Sequence, residues 1–242
     1  MTTDVDDGRI IAGRYLLDED ADQEPGLPGV PGEDLILGRF VRVLVLDPAA
    51  PTTGALLDAA RRAALVHDQR LVPVLDVDRD DSDAWVVTDE VRGSGLDELC
   101  LEGPLTVEDA RAVIGEAASA IEAANRLGVH HLGLTPAHVR VTRDGEVLVV
   151  GIGVHAGLRG EALDDVDVLA AARRDATDLV RLLHLALTGV PAPADGALPA
   201  VPYPEDVPAE LRALCERTLV DDEPPVGPAS VIRALAPWRD VA

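Results

Sequence analysis

The chain has 242 residues, 47% hydrophobic and 27% charged, with a formal net charge of −23 at pH 7, a size that suits one large domain or two lobes sharing a cleft. That charge repels a phosphate backbone and an anionic leaflet, and 2% aromatics give no stacking platform for bases, so nucleic acid is excluded as a partner. All 21 basic residues are arginine, which leaves no lysine for chemistry, and a basic protein surface is the partner the charge favours.

In chain order, Gly13 to Leu17 reads as a strand, followed by an acidic, proline-bearing loop from Asp18 to Glu33 that holds Asp18, Glu19, Asp20, Asp22, Glu24, Pro25, Pro28 and Pro31. Asp34 to Arg39 then leads by a tight turn into the alternating strand Phe40 to Leu46. Thr52 or Thr53 is placed to cap a helix running to about Val66, with Leu56, Leu57, Ala60, Ala63 and Ala64 on one face. Strands at Leu71 to Val77 and Ala84 to Val91 flank an acidic turn, and Gly93-Ser94-Gly95 marks a break.

From there the periodicity is helical. Thr106, with Asp109 three residues on, reads as a cap for a helix reaching Gly128. A hairpin follows at Val139 to Thr142 and Glu146 to Val150, and then helices at Arg173 to Thr188, Ala209 to Val220 and Ala229 to Ala236. The polar start from Met1 to Asp7 has no signal-sequence character, and Cys100 and Cys215 lie far apart without metal or redox spacing. With no apolar run long enough to insert in a bilayer, a cytoplasmic protein is expected.

The order of elements is α+β, with a β-rich first part and a helical second part, and it resembles the bilobal protein kinase fold. On that resemblance the N-lobe spans 1–92 and the C-lobe 93–242. Leu37 to Leu44 resembles the end of the nucleotide-covering hairpin and the strand that carries a phosphate-binding lysine, His67 to Val72 the exit from the regulatory helix, and Trp85 to Val91 the strand entering the hinge, with Thr88 as gatekeeper. Leu127 to Val139 resembles the catalytic loop, Gly151-Ile152-Gly153 the metal-binding turn, and Arg174-Asp175 and Leu187-Thr188-Gly189 the two ends of the central helix. The resemblance implies structural roles for His131, Gly153 and Asp175.

It also implies that the chemistry is missing. Phosphoryl transfer needs a lysine on the phosphates, ligands for magnesium and an aspartate for the incoming hydroxyl. Leu44 stands at the lysine position, Gly133 at the catalytic aspartate, Leu132 and Thr135 at its basic supports, and His138 and Gly151 at the two metal ligands. Asp58, near the place of the helix glutamate, has no lysine to pair with, and the acidic loop replaces a glycine-rich phosphate cradle. No catalytic residue and no cofactor are therefore expected, ATP and magnesium having lost their usual contacts. The adjacent His130 and His131, with His138 and His155, have no cysteine or carboxylate at ligand spacing, so no metal site is expected.

Within the family, the sequence looks most like the kinase-homology domain of the actinobacterial peptidoglycan lipid flippase MviN. That likeness implies a regulatory scaffold in cell-wall precursor export, with a forkhead-associated domain protein or a membrane flippase as partner. The chain departs from it in showing no membrane span and no threonine beyond Thr218. Two alternatives stay open: a divergent serine/threonine kinase or nucleotide-binding protein with an unfamiliar site, and a phospho-dependent adaptor using Thr2, Thr3, Thr52 or Thr53.

Overall fold

The computed structural model describes residues 8–21, 24, 26–158, 167–193 and 202–238. Thr2, Thr3, Asp22 and Pro25, all named above, lie outside the described residues. The first part is an antiparallel sheet of β1 (Ile10–Ile11), β2 (Tyr15–Leu17), β3 (Val30–Asp34), β4 (Arg39–Leu46), β5 (Val74–Arg79) and β6 (Ala84–Asp89), in the order β1-β2-β3-β4-β6-β5. Alternation along β4 sorts its side chains between two apolar clusters. Val41 and Val43 face Ile11, Tyr15, Leu17, Trp85 and Val87, while Leu44 and Leu46 face Val86 and the helix α1 (Thr53–Ala63) through Leu56, Leu57 and Ala60.

Strand β3 corrects the reading of Asp18 to Glu33 as loop throughout. Proline and glycine argue against a central strand, yet Val30–Asp34 pairs with both β2 and β4. The backbone packs so closely there that only glycine fits: a Cβ on Gly32 would lie 2.5 Å from the Leu16 carbonyl oxygen, and one on Gly29, whose φ is +82°, 2.6 Å from that of Val43. Asp34, fully buried, ends the strand. Its carboxylate takes a two-point contact from Arg14 at 2.9 and 2.7 Å and accepts from the amides of Ile36 and Leu37 at 3.1 and 3.2 Å. Arg14 and those amides hold the Asp34 carboxyl down at about 2, and Leu35 to Gly38 becomes a turn instead of an extended lead-in.

The second part is helical. The helices α3 (Val107–Asn125), α5 (Val168–Thr188), α6 (Ala209–Leu219) and α7 (Pro228–Leu235) share one core, with Ile114, Ile121, Leu179, Leu183, Leu211 and Leu235 fully buried in it. The short α2 (Leu96–Leu99) lies beside a small sheet of β7 (Ser94–Gly95), β8 (Val139–Val141) and β9 (Val147–Val149), while α4 (Val154–Leu158) packs on α1. Ser94 and Gly95, expected as a break, pair with β8. The Thr106 side chain accepts from the Asp109 amide at 3.1 Å, as the capping pattern requires. Thr52 makes no such bond; the Thr53 hydroxyl instead donates to the Asp47 carbonyl at 2.7 Å.

Helix α5 begins at Val168, ahead of the expected Arg173, because the Asp167 carboxylate caps it, accepting from Leu169 at 2.9 Å and Ala170 at 3.4 Å. Val168 and Leu169 are themselves exposed, so the first turn carries no apolar stripe that periodicity could detect. The two parts meet where α1 rests on the segment from Gly151 to Gly157. A Cβ on Gly153 would lie 2.9 Å from the Ala63 Cβ and one on Gly157 2.9 Å from Leu56 Cγ. Among the described residues no helix is long and apolar enough to cross a membrane.

Candidate functional site

Of the residues that the resemblance assigned to a nucleotide site, Leu44, Thr88 and Gly151 line one narrow cleft, between β4 and β6 on one side and Val150 to Val154 on the other, and His138 lies against Gly151. Arg42 pairs with Thr88 and Leu44 with Val86 across the β4–β6 ladder. Since side chains two apart share a face, Arg42 points the same way as Leu44. Leu44 joins the apolar cluster of Leu56, Leu57, Ala60, Val86 and Val154. The space bounded by Pro28, Arg42, Leu44, Thr88, Gly151 and Val154 is about 10 Å³. That is at the limit for a single water molecule.

The facing loop is held from α5. Asp175 and Asp178, one turn apart, lie on the same face of the helix. Asp175 Oδ1 accepts from the Leu132 amide at 2.8 Å and Oδ2 from the His131 amide at 3.3 Å, and Asp178 accepts from Leu134 at 3.2 Å. His130 Nδ1 lies 3.4 Å from Asp175. This grip fixes Leu132 at φ +59°, a left-handed conformation that a leucine adopts only when its surroundings impose it. Gly133 follows, itself buried and without a side chain.

Three imidazoles gather beside Gly151. His138, His131 and His155 form a cluster with ring centroids 4.7 Å apart for His131 and His138, 4.5 Å for His138 and His155, and 5.6 Å for His131 and His155. His131 Nε2 donates to the Val150 carbonyl at 3.0 Å, which leaves its Nδ1 a buried acceptor without a hydrogen-bond partner among the described residues. His138 Nδ1 accepts from the Thr135 amide at 3.0 Å, so its proton sits on the buried Nε2. Gly151, at φ +83°, closes over both rings: a Cβ there would lie 3.5 Å from His138 Cδ2 and 3.7 Å from His131 Nε2.

Burial first, and then the neighbouring imidazoles His131 and His155, push His138 down to about 2; burial also lowers His131, against the attraction of Asp175. Both rings are therefore neutral near pH 7. Binding a metal through His138 Nε2 would require moving its proton to Nδ1 and breaking the Thr135 contact. Among the described residues no three His, Cys, Asp or Glu side chains are grouped so as to hold a metal ion. Asp58, on α1, is exposed, pairs with Arg61 at 2.9 Å and is not among the residues that line the cleft.

Sequence reasoning missed the residues that fill the cleft. Arg42 is buried, donates to Glu90 through Nε and Nη2 at 3.1 and 3.2 Å, and donates through Nη1 to the Gly29 carbonyl at 3.1 Å. Arg140, on β8, is likewise buried and donates to the Gly93 carbonyl. Glu24 from the acidic loop stands between them, with Oε1 3.6 Å from Arg42 Nη2 and Oε2 2.8 Å from Arg140 Nη1. A signal was present, in that an arginine interrupts each of two apolar strands, Val41-Arg42-Val43 and Val139-Arg140-Val141. Nothing in the sequence indicated that they face each other.

No family model matches the chain. It is 29% identical over 149 residues to the serine/threonine-protein kinase PknH of Mycobacterium bovis, covering 54% of this chain and 25% of that protein. It is 26% identical over 143 residues to PknL of Mycobacterium tuberculosis (57% and 36%), and 26% identical over 168 residues to a probable serine/threonine-protein kinase PknB of Lactococcus lactis (67% and 27%). The chain thus aligns with about a quarter to a third of the length of these relatives. It is a distant homologue of bacterial serine/threonine protein kinases, and its curled antiparallel sheet followed by a helical part is a kinase-like α+β fold.

Proposed function

We propose that this kinase-like chain does not transfer phosphate and serves as a protein-binding scaffold or regulatory module. The observation that carries this reading is the closed cleft. A nucleotide needs a pocket of roughly 300 Å³ or more, whereas about 10 Å³ is open beside Leu44, Thr88 and Gly151, and Arg42, Glu24, Glu90 and Arg140 fill the adjoining space with ion pairs. Leu44, Gly133, His138 and Gly151 supply no cation for the phosphates, no base and no carboxylate for magnesium. Losing one such group costs about a hundredfold in rate or more.

The charge and surface support a basic protein partner. A concavity of about 460 Å³ on the first sheet is lined by Leu16 and Phe40 and rimmed by Asp18, Glu19, Asp20 and Glu33. Both cysteines are free and buried, which suits the reducing cytoplasm. Regulation of cell-wall precursor export, through a forkhead-associated domain protein or a flippase, remains within this proposal.

The relatives are named serine/threonine-protein kinases, which favours the opposing reading, a working kinase. Thermal denaturation with ATP, with and without magnesium, separates the two. We expect no shift in either condition and no phosphate transfer to a generic protein substrate. A magnesium-dependent rise in melting temperature, together with transfer abolished by changing cleft residues, would establish the kinase instead.

A further inference from the structure

Phe40 is the one phenylalanine of the chain, and it stands 61% exposed while Tyr15 and Trp85 are buried. It belongs to a row that crosses β1 to β4, in which Ile10 pairs with Leu16, Leu16 with Glu33 and Glu33 with Phe40. The alternate residues Ile11, Leu17 and Val41 face the core, so the row is turned outward. Further along the same face of β4, Arg42 and Leu44 line the closed cleft. At Phe40 the face is open, and with Leu16 it lines the concavity of about 460 Å³ that carries Asp18, Glu19, Asp20 and Glu33 on its rim.

Those carboxylates are exposed, and among the described residues none of them pairs with an arginine. Other acids of this sheet do find one: Asp34 meets Arg14 and Asp83 meets Arg9. The Phe40 ring is itself matched to a guanidinium, since Arg92 lies over it at 4.8 Å from the centroid, and the residue is still largely exposed.

We propose that this face docks an extended, arginine-bearing segment of a partner protein, the arginine stems lying on Leu16 and Phe40 and the guanidinium groups meeting Asp18, Glu19, Asp20 and Glu33. The proposal rests on the reading of the chain as a protein-binding module and names the chemistry of what it binds. At about 460 Å³ the concavity takes a few side chains, not a folded surface. A second copy would bring the acidic rim against a molecule of net charge −23, and Met1 to Asp7, with Asp4, Asp6 and Asp7, has the wrong sign as well. Arginine suits the site better than lysine. Its planar group stacks on a ring and forks onto carboxylates, whereas the lysine head is compact and strongly hydrated.

The test is fluorescence anisotropy of labelled hexa-arginine and hexalysine peptides with the full chain in about 0.15 M salt, where exposed charges more than roughly 8 Å apart are largely screened. Two triple variants remove equal charge: Asp18→Asn, Glu19→Gln and Asp20→Asn at the concavity, and Asp221→Asn, Asp222→Asn and Glu223→Gln on another exposed segment. The first should weaken hexa-arginine binding about tenfold or more and the second less than about twofold. Phe40→Ala, or the milder Phe40→Leu, removes the ring and no charge, and should weaken it about threefold; hexalysine should bind the native chain more weakly than hexa-arginine. All these side chains are exposed, and melting curves confirm that each variant is folded. Equal losses in the two triples would overturn the proposal in favour of a diffuse field. No binding by the native chain, no loss in a folded Phe40 variant, or hexalysine binding as tightly as hexa-arginine would overturn it as well. Thermal denaturation with ATP decides the scaffold reading separately, so a chain that fails here and takes no nucleotide loses this site alone.

Discussion

Asp175 is fully buried and serves two backbone amides, one of them on a leucine held at φ +59°. Removing its carboxylate leaves both amides unsatisfied and releases the conformation they fix. Asp175→Ala should therefore lower the unfolding free energy by about 3 kcal/mol, read from chemical denaturation, with Asp175→Asn intermediate; an unchanged midpoint would refute the assigned role. His138 gives a pH dependence whose sign is set by burial. Its folded pKa is depressed to about 2, while the unfolded residue titrates near 6.5. Its contribution is complete above the unfolded value and is lost as pH falls, by about 1.4 kcal/mol per pH unit. Denaturation curves from about pH 7 to about pH 5 should flatten by one proton in His138→Gln, and parallel slopes would contradict the assignment. His131, Asp175 and Gly153 could be picked out from the sequence because each falls within a short run of motif. The imidazole cluster could not, because His155 approaches His138 only through the fold.

At the scale of elements, β4, α3 and the hairpin of β8 and β9 followed from alternation, capping and turn residues, each a local property. Strand β3 did not, because Pro31 and Gly32 argue for a loop and only pairing on both sides makes them a strand. Close contact between elements yields a test at Gly115 in α3. A Cβ there would fall 2.6 Å from Trp238 Cδ2, and the Trp238 indole donates to Glu116 at 2.7 Å. Alanine favours an isolated helix by about 1 kcal/mol over glycine, yet forcing the ring aside costs about 1–3 kcal/mol. Gly115→Ala should thus be destabilised overall and, in a Trp85→Phe background, show a red-shifted Trp238 emission. A more stable variant with unchanged emission would mean that the ring does not pack there.

At the scale of the molecule, a formal charge of −23 acts as a field over the surface and sets the kind of partner that approaches, without specifying a fold. By itself the sequence determined the α+β order of elements and the acidic stretch ahead of β4, and it set the expectation that leucine, glycine and histidine stand where a kinase keeps its chemistry. These are one-dimensional facts, legible because a motif is a matter of spacing along the chain. Only the tertiary structure decided what became of the cleft. Glu24, Arg42, Glu90 and Arg140 come from four separate segments, and an ion pair depends on distances of a few ångströms that spacing in sequence does not encode. The acidic loop, expected to stand in place of a phosphate cradle, puts one carboxylate between two buried arginines, because folding brings β4 and β8 to either side of it and a buried guanidinium must find an anion.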